Sequence, residues 1–593
     1  MYQYTDFDRQ FVRARAAQYR DQLQRNLAGT LSDDDFRPLR LQNGWYVQRY
    51  APMLRVAIPY GEVSAAQLRV LARIAREYDQ PSSEVFRHAQ QSQSKLGPQR
   101  LETGYAHFTT RQNAQYNWIP LDKSADVMDL LASVDMHGIQ TSGNCIRNIT
   151  SDERAGIATD EIADPRPFCE ILRQWSTLHP EFAYLPRKFK IAVSGAAEDR
   201  AATAWHDVGL HLVRNAEGAL GFRVLVGGGM GRTPVIASTL REFLPWDQIL
   251  NYLEAVVRVY NRWGRRDNLY KARIKILVKA EGPRFRDEVE AEYRQILEQD
   301  GAPHTITQAE LDRVSASFVV PRRQPLQPAG EQQIQTLLRA ADEADPQYQR
   351  WIRQNVAAHR QPELRAVTLS LKRLGQAPGD ATAGQLDHAA ELAERFSAGE
   401  ARVTHDQNLL LPWVHQDELP ELWRAARDFG FAQPNIRLLT DMIACPGGDF
   451  CALANARSLP IAAAITERFQ DLDELDDLGD IDLHISGCIN SCGHHHSGHI
   501  GILGVDKDGR EWYQVSLGGS DGSSLSGPAT PGRIVGPSFG AEEVPDVIEA
   551  VLGTYRELRQ GRETFIATLH RVGLEPFKQS ANGARHSRSE EMA

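Results

Sequence analysis

Four of the six cysteines in this 593-residue chain lie in two short groups. Cys445 and Cys451 enclose Pro-Gly-Gly-Asp-Phe, and Cys488 and Cys492 follow after a gap of 36 residues. Thiolates that converge on one site are soft ligands for zinc or for an iron–sulfur cluster. Zinc sites usually use tighter C-x2-C pairs, whereas these wider spacings suit the larger [4Fe–4S] cube. The spacing therefore predicts a [4Fe–4S] cluster, with zinc or four unrelated buried thiols as alternatives.

Basic residues form a second candidate group in the first half of the chain. They are Arg111 in TTRQN, Arg147 in GNCIRN, and Lys188 and Lys190 in LPRKFK. Alternate residues of a strand share a face, so the two lysines are expected to point to the same side. The pattern alone does not separate this arrangement from a solvated strand edge, where lysines are common.

Two glycine-rich segments could bring the backbone close to a bound group. Gly447 and Gly448 would let the chain bend beside a cluster sulfur. The other segment, which could cradle anionic groups with backbone N–H donors, contains Gly227, Gly228, Gly229 and Arg232. It matches neither the dinucleotide fingerprint nor the P-loop, so it is weak evidence for a nucleotide.

Composition restricts the class of protein. The hydrophobic content of 42% and the charged content of 24% are ordinary for a globular protein. A net charge of −10 argues against a general nucleic-acid binder, and no apolar run approaches the ~20 residues that span a membrane. The N-terminal residues contain no apolar signal segment. Because few cysteines are present and most are grouped, we expect a reducing compartment, the cytoplasm, with no nucleic-acid or membrane partner.

The chain contains two copies of one unit. TTRQN, with Gln112, returns as THDQN, with Gln407, at an offset of 407 − 112 = 295. Upstream, Gln67 and its neighbours return at Gln385, at an offset of 385 − 67 = 318. The difference, 318 − 295 = 23, predicts a polar surface insertion at about 79–101 of the first copy. With the segments that follow each copy, the organisation is A–B–A′–B′.

Each copy is predicted to run strand, helix, strand, helix. Ser64 and Thr382 are the expected N-caps of the first helix in each copy. The predicted strands are 54–59 and 106–119 in the first copy and 366–371 and 401–411 in the second. The predicted helices are 64–78, 124–134, 382–396 and 419–429. Alternating strands and helices of this kind indicate α/β or α+β layers.

Taken together, the motifs resemble those of the sirohaem-dependent sulfite and nitrite reductases. The matching pieces are TTRQ, GNCIRN, LPRKFK, VGGG, CPGGDFC and HISGCINSCGHHHSGHIGILG, in family order, from about Phe36 to about Lys578. The chain is most similar to the haemoprotein, or beta, subunits of bacterial assimilatory sulfite reductases. The resemblance implies an α+β fold, a pseudo-twofold repeat of ferredoxin-like half-domains and sirohaem-binding α/β domains.

The resemblance also assigns the repeat units to domains. The predicted ranges are 1–35 for an N-terminal helical arm, 36–139 for the first half-domain with its insertion, 140–300 for a sirohaem and substrate domain, 301–345 for a linker, 346–436 for the second half-domain, 437–578 for a [4Fe–4S] and sirohaem domain, and 579–593 for a disordered tail.

The resemblance implies two cofactors, sirohaem and a [4Fe–4S] cluster. The four grouped cysteines would ligate the cluster, and Cys492 would bridge it to the sirohaem iron. Arg111, Arg147, Lys188 and Lys190 match the family's substrate-binding basic quartet. The predicted cofactor contacts are Thr109, Gln112, Asn144, Arg147, Gly227, Gly228, Gly229, Arg232, Asn490 and Cys492. A buried site for a small dianion and a polycarboxylate macrocycle must supply such cations.

The implied activity is the six-electron reduction of sulfite to sulfide in sulfate assimilation. The alternative is ferredoxin-dependent nitrite reduction to ammonia, but Lys190 stands where nitrite enzymes commonly have asparagine. Asp406 stands where the first copy has Arg111, which implies one active site per chain. No flavin or pyridine-nucleotide domain is evident, so a separate ferredoxin or flavoprotein subunit must donate electrons. A non-catalytic iron–sulfur or zinc module is a third possibility, against which the basic quartet argues.

The run His494-His495-His496-Ser-Gly-His499 beside Cys492 also suggests zinc. We favour instead donors to cluster sulfur and haem carboxylates, or packing. No role is assigned to Cys145 or Cys169.

Overall fold

The structure is a computed structural model that describes residues 1–48, 51–91, 103–321, 344–523 and 525–591. Two helices open the chain, α1 (Asp6–Leu27) and α2 (Asp33–Gln42). They are the predicted helical arm, but α1 is not detached, because Val12, Tyr19 and Leu23 are buried in the core of the repeat units. No helix within the described ranges is long and apolar enough to cross a bilayer.

Unit A follows the predicted order of elements. They are β1 (Trp45–Val47), β2 (Pro52–Val56), β3 (Glu62–Ser64), α3 (Ala65–Glu77), α4 (Ser83–Gln91), β4 (Tyr105–Phe108), β5 (Ala114–Tyr116) and α5 (Ser124–Ala132). Ser64 is the N-cap of α3, as predicted, and forms a capping box with Gln67.

Unit B is a mixed sheet covered by helices. Its elements are β6 (Thr150–Ser151), α6 (Arg166–Ser176), β7 (Ile191–Ser194), β8 (Val208–Arg214), β9 (Leu220–Val226), β10 (Ser238–Pro245), α7 (Ile249–Trp263), α8 (Ile274–Glu281), α9 (Pro283–Glu298) and α10 (Gln308–Ala316). The strand order is β10-β9-β8-β7-β6, with β6, β7 and β8 parallel.

Unit A′ repeats A. It contains α11 (Pro346–Asn355), β11 (Val356–Ala358), β12 (Leu364–Leu369), β13 (Asp380–Thr382), α12 (Ala383–Phe396), β14 (Glu400–Val403), β15 (Leu409–His415) and α13 (Leu419–Arg427). The predicted N-cap Thr382 forms a capping box with Gln385, matching Ser64 and Gln67 of the first copy.

Unit B′ repeats the mixed sheet of B. Its elements are β16 (Ile443–Ala444), α14 (Leu459–Arg468), α15 (Leu472–Leu478), β17 (Leu483–Ser486), β18 (Ile500–Lys507), β19 (Arg510–Leu517), β20 (Arg533–Ile534), β21 (Phe539–Gly540), α16 (Val544–Leu558), α17 (Phe565–Val572) and α18 (Glu575–Glu591). The strands run β16-β17-β18-β19-β20, and β21 also pairs with β19.

The two copies of the repeat exchange strands. The sheet of A runs β1-β2-β5-β4-β13, and the sheet of A′ runs β11-β12-β15-β14-β3. Strand β13 of A′ therefore completes the sheet of A, and β3 of A completes the sheet of A′. Helices α3 and α12 pack together in one shared core. A and A′ thus form one body rather than two independent half-domains.

The predicted strands 106–119 and 401–411 are wrong in one respect, because each is a hairpin. The chain turns at TTRQN and THDQN, where Gln112 and Gln407 adopt left-handed φ angles of 55° and 60°. In the first turn the Thr109 hydroxyl accepts hydrogen bonds from the backbone N–H groups of Arg111 and Asn113. A threonine hydroxyl that bonds the backbone locally competes with the extended ladder.

Three segments that were predicted to lack regular structure or to lie at the surface are the tail, the insertion and the linker. The predicted disordered tail is wrong for residues 579–591, which continue helix α18 to Glu591, and Ala581 in it is fully buried. The predicted surface insertion begins with α4, whose Phe86 ring packs 5.9 Å from Trp118, and Trp118 lies 5.3 Å from Phe450 of CPGGDFC. Residues 92–101 of the insertion and 322–343 of the linker fall outside the described residues.

A buried ion network joins A to B, and its arginine is expected to be essential for stability. Arg166 donates to Glu62 at 2.9 Å and to Asp164 at 2.7 Å, and all but 2% of its surface is buried. Arg166→Met should cost about 3–5 kcal/mol, because it leaves buried carboxylates unpaired. The urea midpoint should fall. Arg265→Met, which breaks an exposed pair with Asp267, should leave it unchanged; equal midpoints would refute the role of Arg166.

Candidate functional site

One cavity of about 840 Å³, its open mouth included, lies where the four units meet. The TTRQN turn comes from A, GNCIRN and LPRKFK from B, Gln407 from A′, and the cysteine motifs from B′. Eight predicted site residues line the cavity: Thr109, Arg111, Arg147, Lys188, Lys190, Cys445, Asn490 and Cys492. Residues separated by hundreds of positions in the sequence are therefore brought to one place by the A–B–A′–B′ packing.

The lining is strongly basic. Arg55 and Arg273 join the predicted quartet, and no aspartate or glutamate lines this cavity among the described residues. Burial lowers the pKa of Arg111 to about 9 and that of Lys188 to about 8, and it lowers the pKa of Lys190 well below its ordinary value. Like charges close together in a desolvated site raise the free energy of the empty pocket. An anionic ligand would relieve that cost.

Backbone carbonyls hold the two predicted arginines in place. Arg111 Nη2 donates to the carbonyl of Asn148 at 2.6 Å, while the buried Arg111 Nη1 has no hydrogen-bond partner. Arg147 donates through Nη1 to the carbonyl of Thr141 at 2.8 Å and through Nη2 to that of Gly143 at 2.7 Å. Fixed guanidiniums with a free donor suit an oxyanion ligand.

The two lysines reach the cavity from an extended segment before β7. Phe189, between them, is fully buried and pairs with Ile146, so Lys188 and Lys190 both line the cavity, as alternation predicts. The backbone N–H of Arg147 donates to the carbonyl of Phe189 at 2.8 Å, which ties GNCIRN to LPRKFK. The two motifs therefore keep a fixed relative position.

Sequence reasoning missed Arg273 and its partner Asp207. The fully buried Asp207 accepts from Arg273 Nε at 3.0 Å and Nη2 at 2.8 Å, and its other oxygen accepts from the Lys190 backbone N–H at 2.9 Å. The alternation Lys-Ala-Arg-Ile-Lys at 271–275 repeats the spacing of Lys188 and Lys190 and was an available signal. Arg55 has no comparable motif.

Asp207→Asn is expected to lower kcat/KM for the anionic substrate that the sequence resemblance implies by roughly tenfold. The amide can still accept from Lys190, but Arg273 loses its charged partner, and a hydrogen bond to a charged group contributes about 1.5–3 kcal/mol. Steady-state kinetics with an artificial reductant would measure the loss at unchanged iron content. Asp267→Asn removes an exposed arginine partner and serves as control; an unchanged Asp207→Asn enzyme would refute the positioning role.

The cysteine motifs follow the ends of two paired strands. Strands β16 and β17 are parallel neighbours, Cys445 directly follows β16, and Cys488 follows β17 by two residues. The predicted bend in CPGGDFC is present, since Gly447 has φ +58° and a Cβ there would lie 2.5 Å from Ser458 Oγ. Parallel strands deliver their carboxyl ends to one edge, so the two motifs face the same region.

The cysteine surroundings fit a [4Fe–4S] cluster better than zinc. The backbone N–H of Gly487 donates to Cys445 Sγ at 3.2 Å, a bond that favours a thiolate. Burial and Cys492 raise the pKa of Cys445 to about 12, and burial raises that of Cys488 to about 11, a cost that a bound cationic centre offsets. No three of these thiols lie within 4.8 Å of one another, whereas tetrahedral zinc needs sulfurs ~3.8 Å apart.

Six predicted cofactor contacts do not line the cavity: Gln112, Asn144, Gly227, Gly228, Gly229 and Arg232. The Gln112 amide bonds the backbone of Ser151 and Val403, and Gln407 bonds Ala444 and Phe108 in the same way. This symmetric use ties each hairpin turn to the next domain. The cofactor roles of the six residues stay predictions.

The glycine segment packs closely on other parts of B. A Cβ at Gly228 would lie 2.3 Å from the carbonyl oxygen of Ala204. Lys275 Nζ donates to the carbonyls of Gly229 and Met230 at 3.1 and 2.6 Å, and Arg232 is exposed. Met230, the next residue, lines the cavity.

The histidine run lies beside the same cavity. His494 lines it, His496 Nε2 lies 3.0 Å from the carbonyl oxygen of Gly231, and both ring nitrogens of the buried His495 have no hydrogen-bond partner. None of these histidines joins a cysteine in a cluster of ligand atoms within 4.8 Å in the described part of the chain. A neutral imidazole has one N–H donor, so the buried His495 offers one unpartnered donor that would suit a carboxylate.

The equivalent turn in A′ has the opposite charge. Lys372 Nζ donates to the carbonyl oxygen of Asp406 and lies 3.3 Å from Asp441 Oδ1. Asp406, at the position of Arg111, is therefore held through its backbone carbonyl, while Lys372 pairs with the carboxylate of Asp441. The turn of A′ thus has an acidic residue where A has Arg111, and one active site per chain stays a prediction.

The comparisons identify the family. The nitrite and sulphite reductase 4Fe-4S domain matches residues 142–297 and 437–588, and the nitrite/sulfite reductase ferredoxin-like half domain matches 47–85 and 359–429. The chain therefore belongs to the nitrite and sulfite reductase family. This confirms the predicted fold class, with its twice-repeated half-domains, and the predicted sirohaem and [4Fe–4S] cofactors.

Individual relatives cover most of the chain. Sulfite reductase [ferredoxin] 1 of Mycolicibacterium paratuberculosis is 28% identical, over 89% of this chain and 83% of that protein. The assimilatory ferredoxin-dependent nitrite reductase of Haloferax mediterranei is 26% identical, over 86% of this chain and 80% of that protein. The NirA protein of Mycobacterium tuberculosis shares the fold, with a TM-score of 0.71, 24% identity and 94% coverage of both chains.

Proposed function

We propose that this chain is a ferredoxin-dependent sulfite reductase that converts sulfite to sulfide in six one-electron steps. The observation that carries the proposal is the lining of the cavity, to which the described residues contribute six basic side chains and no carboxylate. A dianion gains more from such a site than a monovalent anion does. The ferredoxin donor is inferred from the names of the relatives, which include both sulfite and nitrite enzymes.

The four predicted basic residues divide the work of binding and proton supply. Arg111 and Arg147, held by backbone carbonyls, present guanidinium donors that would grip and orient substrate oxygens. Lys188 and Lys190 would hold further oxygens and deliver protons, because burial lowers the pKa of each ammonium and eases proton release. Each oxygen lost as water needs two protons, so donors must stand beside the reacting anion.

Cys445, Cys451, Cys488 and Cys492 would hold the cluster, and Cys492 would also contact the sirohaem iron. Of the four, Cys445 and Cys492 line the cavity, and the Thr110 hydroxyl donates to the Cys492 carbonyl at 3.0 Å. The cofactors, when bound, supply the electron path and the iron centre. The protein supplies the cations that balance the carboxylates of the macrocycle and fix the substrate.

The test is turnover of the purified protein with its full cofactor content. We expect sulfide formation from sulfite with reduced ferredoxin, at a kcat/KM at least tenfold above that for nitrite, and no turnover with NADPH alone. A higher kcat/KM for nitrite would establish nitrite reduction instead. Activity that requires an NADPH flavoprotein and not ferredoxin would refute the proposed donor.

A further inference from the structure

A second cluster of ligand-type side chains lies in B, away from the basic cavity. One ring nitrogen each of His179 and His304 and one carboxylate oxygen of Glu254 lie within 4.8 Å of one another. In the described part of the chain no other three histidine, cysteine or carboxylate groups come so close. His179 follows α6, Glu254 is in α7, and His304 lies between α9 and α10. Three separate segments therefore meet at this point.

The two carboxylate oxygens of Glu254 differ in their contacts, since one pairs with an arginine and the other makes no hydrogen bond. Its Oε1 pairs with Arg258 Nη2 at 2.6 Å. Its Oε2 lies 2.6 Å from His304 Nε2, but it is buried and makes no aligned hydrogen bond. Only 2% of Glu254 is exposed, so water does not solvate this oxygen freely. A buried carboxylate oxygen that faces an imidazole nitrogen without an aligned hydrogen bond is suited to a cation, which would bind both atoms.

The charges around the cluster leave a deficit of two positive charges. Arg258 contacts Glu181, Glu254, Glu292 and Asp300, and Arg262 also contacts Glu292. Four carboxylates and two guanidiniums give −4 + 2 = −2 with neutral imidazoles. Glu254 and Glu292 are buried, whereas Glu181 and Asp300 are partly exposed, so a divalent cation beside Glu254 would offset negative charge at the buried end of this network.

Aromatic packing holds both histidine rings near this position. His179 stacks on Phe182 with ring centroids 3.9 Å apart, and Trp175 lies 5.9 Å from His179 and 6.4 Å from His304. The Glu181 backbone N–H makes a long 3.3 Å hydrogen bond to His179 Nδ1, which a metal ion at that ring would displace. Only modest side-chain movement is needed, since tetrahedral zinc requires ligand atoms ~3.4 Å apart.

We propose that His179, Glu254 and His304 form a binding site for one divalent first-row transition metal ion, such as Zn²⁺. Two imidazoles and one carboxylate are a common protein ligand set for this class of ion, with water in the fourth position. The ion would tie the loops at 178–182 and 301–306 to α7. The first of these loops leads into LPRKFK, so the site would stabilise the segment that carries Lys188 and Lys190.

The test measures zinc in holoprotein whose iron content is known. The protein is treated with EDTA, incubated with Zn²⁺ and desalted. It should then retain one zinc per chain, as measured by inductively coupled plasma mass spectrometry. His304→Gln, a change at a half-exposed ring, should reduce zinc affinity at least tenfold. His388→Gln is the matched control, because His388 also lies beside a glutamate, Glu391, at 3.3 Å but has no second histidine. It should retain one zinc.

Iron content and thermal stability show whether zinc binds at the proposed site or at the cysteines. Equal iron in all three proteins excludes zinc in the cysteine site, and Zn²⁺ should raise the Tm of wild type and His388→Gln but not of His304→Gln. His179→Gln provides a second variant with the same expectation. The proposal would be overturned if wild type, His304→Gln and His179→Gln bound zinc equally. It would also be overturned if wild type bound no zinc at micromolar Zn²⁺. These readouts do not depend on sulfite or nitrite turnover.

Discussion

Cys451→Ser is expected to abolish the [4Fe–4S] cluster and to reduce turnover by more than ~100-fold. Serine oxygen is a poorer ligand than thiolate for iron in a cube, and changes even to groups around a metal ligand typically cost 10–100-fold. Cys451 ends the tight turn of CPGGDFC, so no neighbouring thiol can replace it without moving the turn. Iron and acid-labile sulfide per chain, with kinetics, would measure the loss.

Loss of the cluster should also destabilise B′, because metal binding in such sites is coupled to folding. Phe450 of this turn packs in a buried cluster that includes Trp118. A turn that no longer binds the [4Fe–4S] cluster through Cys451 would therefore also weaken this packing. Cys145→Ser is the control, since Cys145 donates to the Ser142 carbonyl and serine can keep that bond. A Cys451→Ser protein with full iron and sulfide would show that the ligand assignment is wrong.

Local chemistry explains which parts of the fold could be predicted. The helix starts at Ser64 and Thr382 were readable because a capping box needs only residues three positions apart. The exchange of β3 and β13 was not readable, because strand pairing across more than 270 residues leaves no local pattern (380 − 107 = 273). The hairpins were mistaken for single strands because buried residues flank both turns and hide them.

The candidate site divides in the same way. Cysteine spacing and the alternation of Lys188 and Lys190 are short-range signals, and the structure brings these motifs to one cavity. Arg273 reaches the cavity through Asp207, 66 positions away in sequence, so its place depends on tertiary packing. The motif around Gln112 did not indicate that its amide bonds the backbone at a domain junction; its cofactor contact stays a prediction.

Lys190→Asn is expected to lower sulfite turnover about thirtyfold and nitrite turnover less. The change removes one positive charge and one proton donor beside Arg111, and sulfite carries two negative charges where nitrite carries one. In this desolvated pocket a lost charge-assisted hydrogen bond costs on the order of 2 kcal/mol, which corresponds to the thirtyfold loss. The measurement is kcat/KM for both anions with one artificial electron donor.

Cofactor content should stay normal in Lys190→Asn, since the backbone N–H of residue 190 still donates to Asp207 and the cysteines are untouched. Lys123→Asn, which removes an exposed lysine, controls for a general effect of net charge on anion attraction. Selective loss of sulfite turnover would attribute dianion preference to the ammonium at position 190. Equal losses on both anions would defeat that charge argument, because a purely structural or proton-supply role affects both substrates alike. Nitrite reduction would then be as well supported as sulfite reduction.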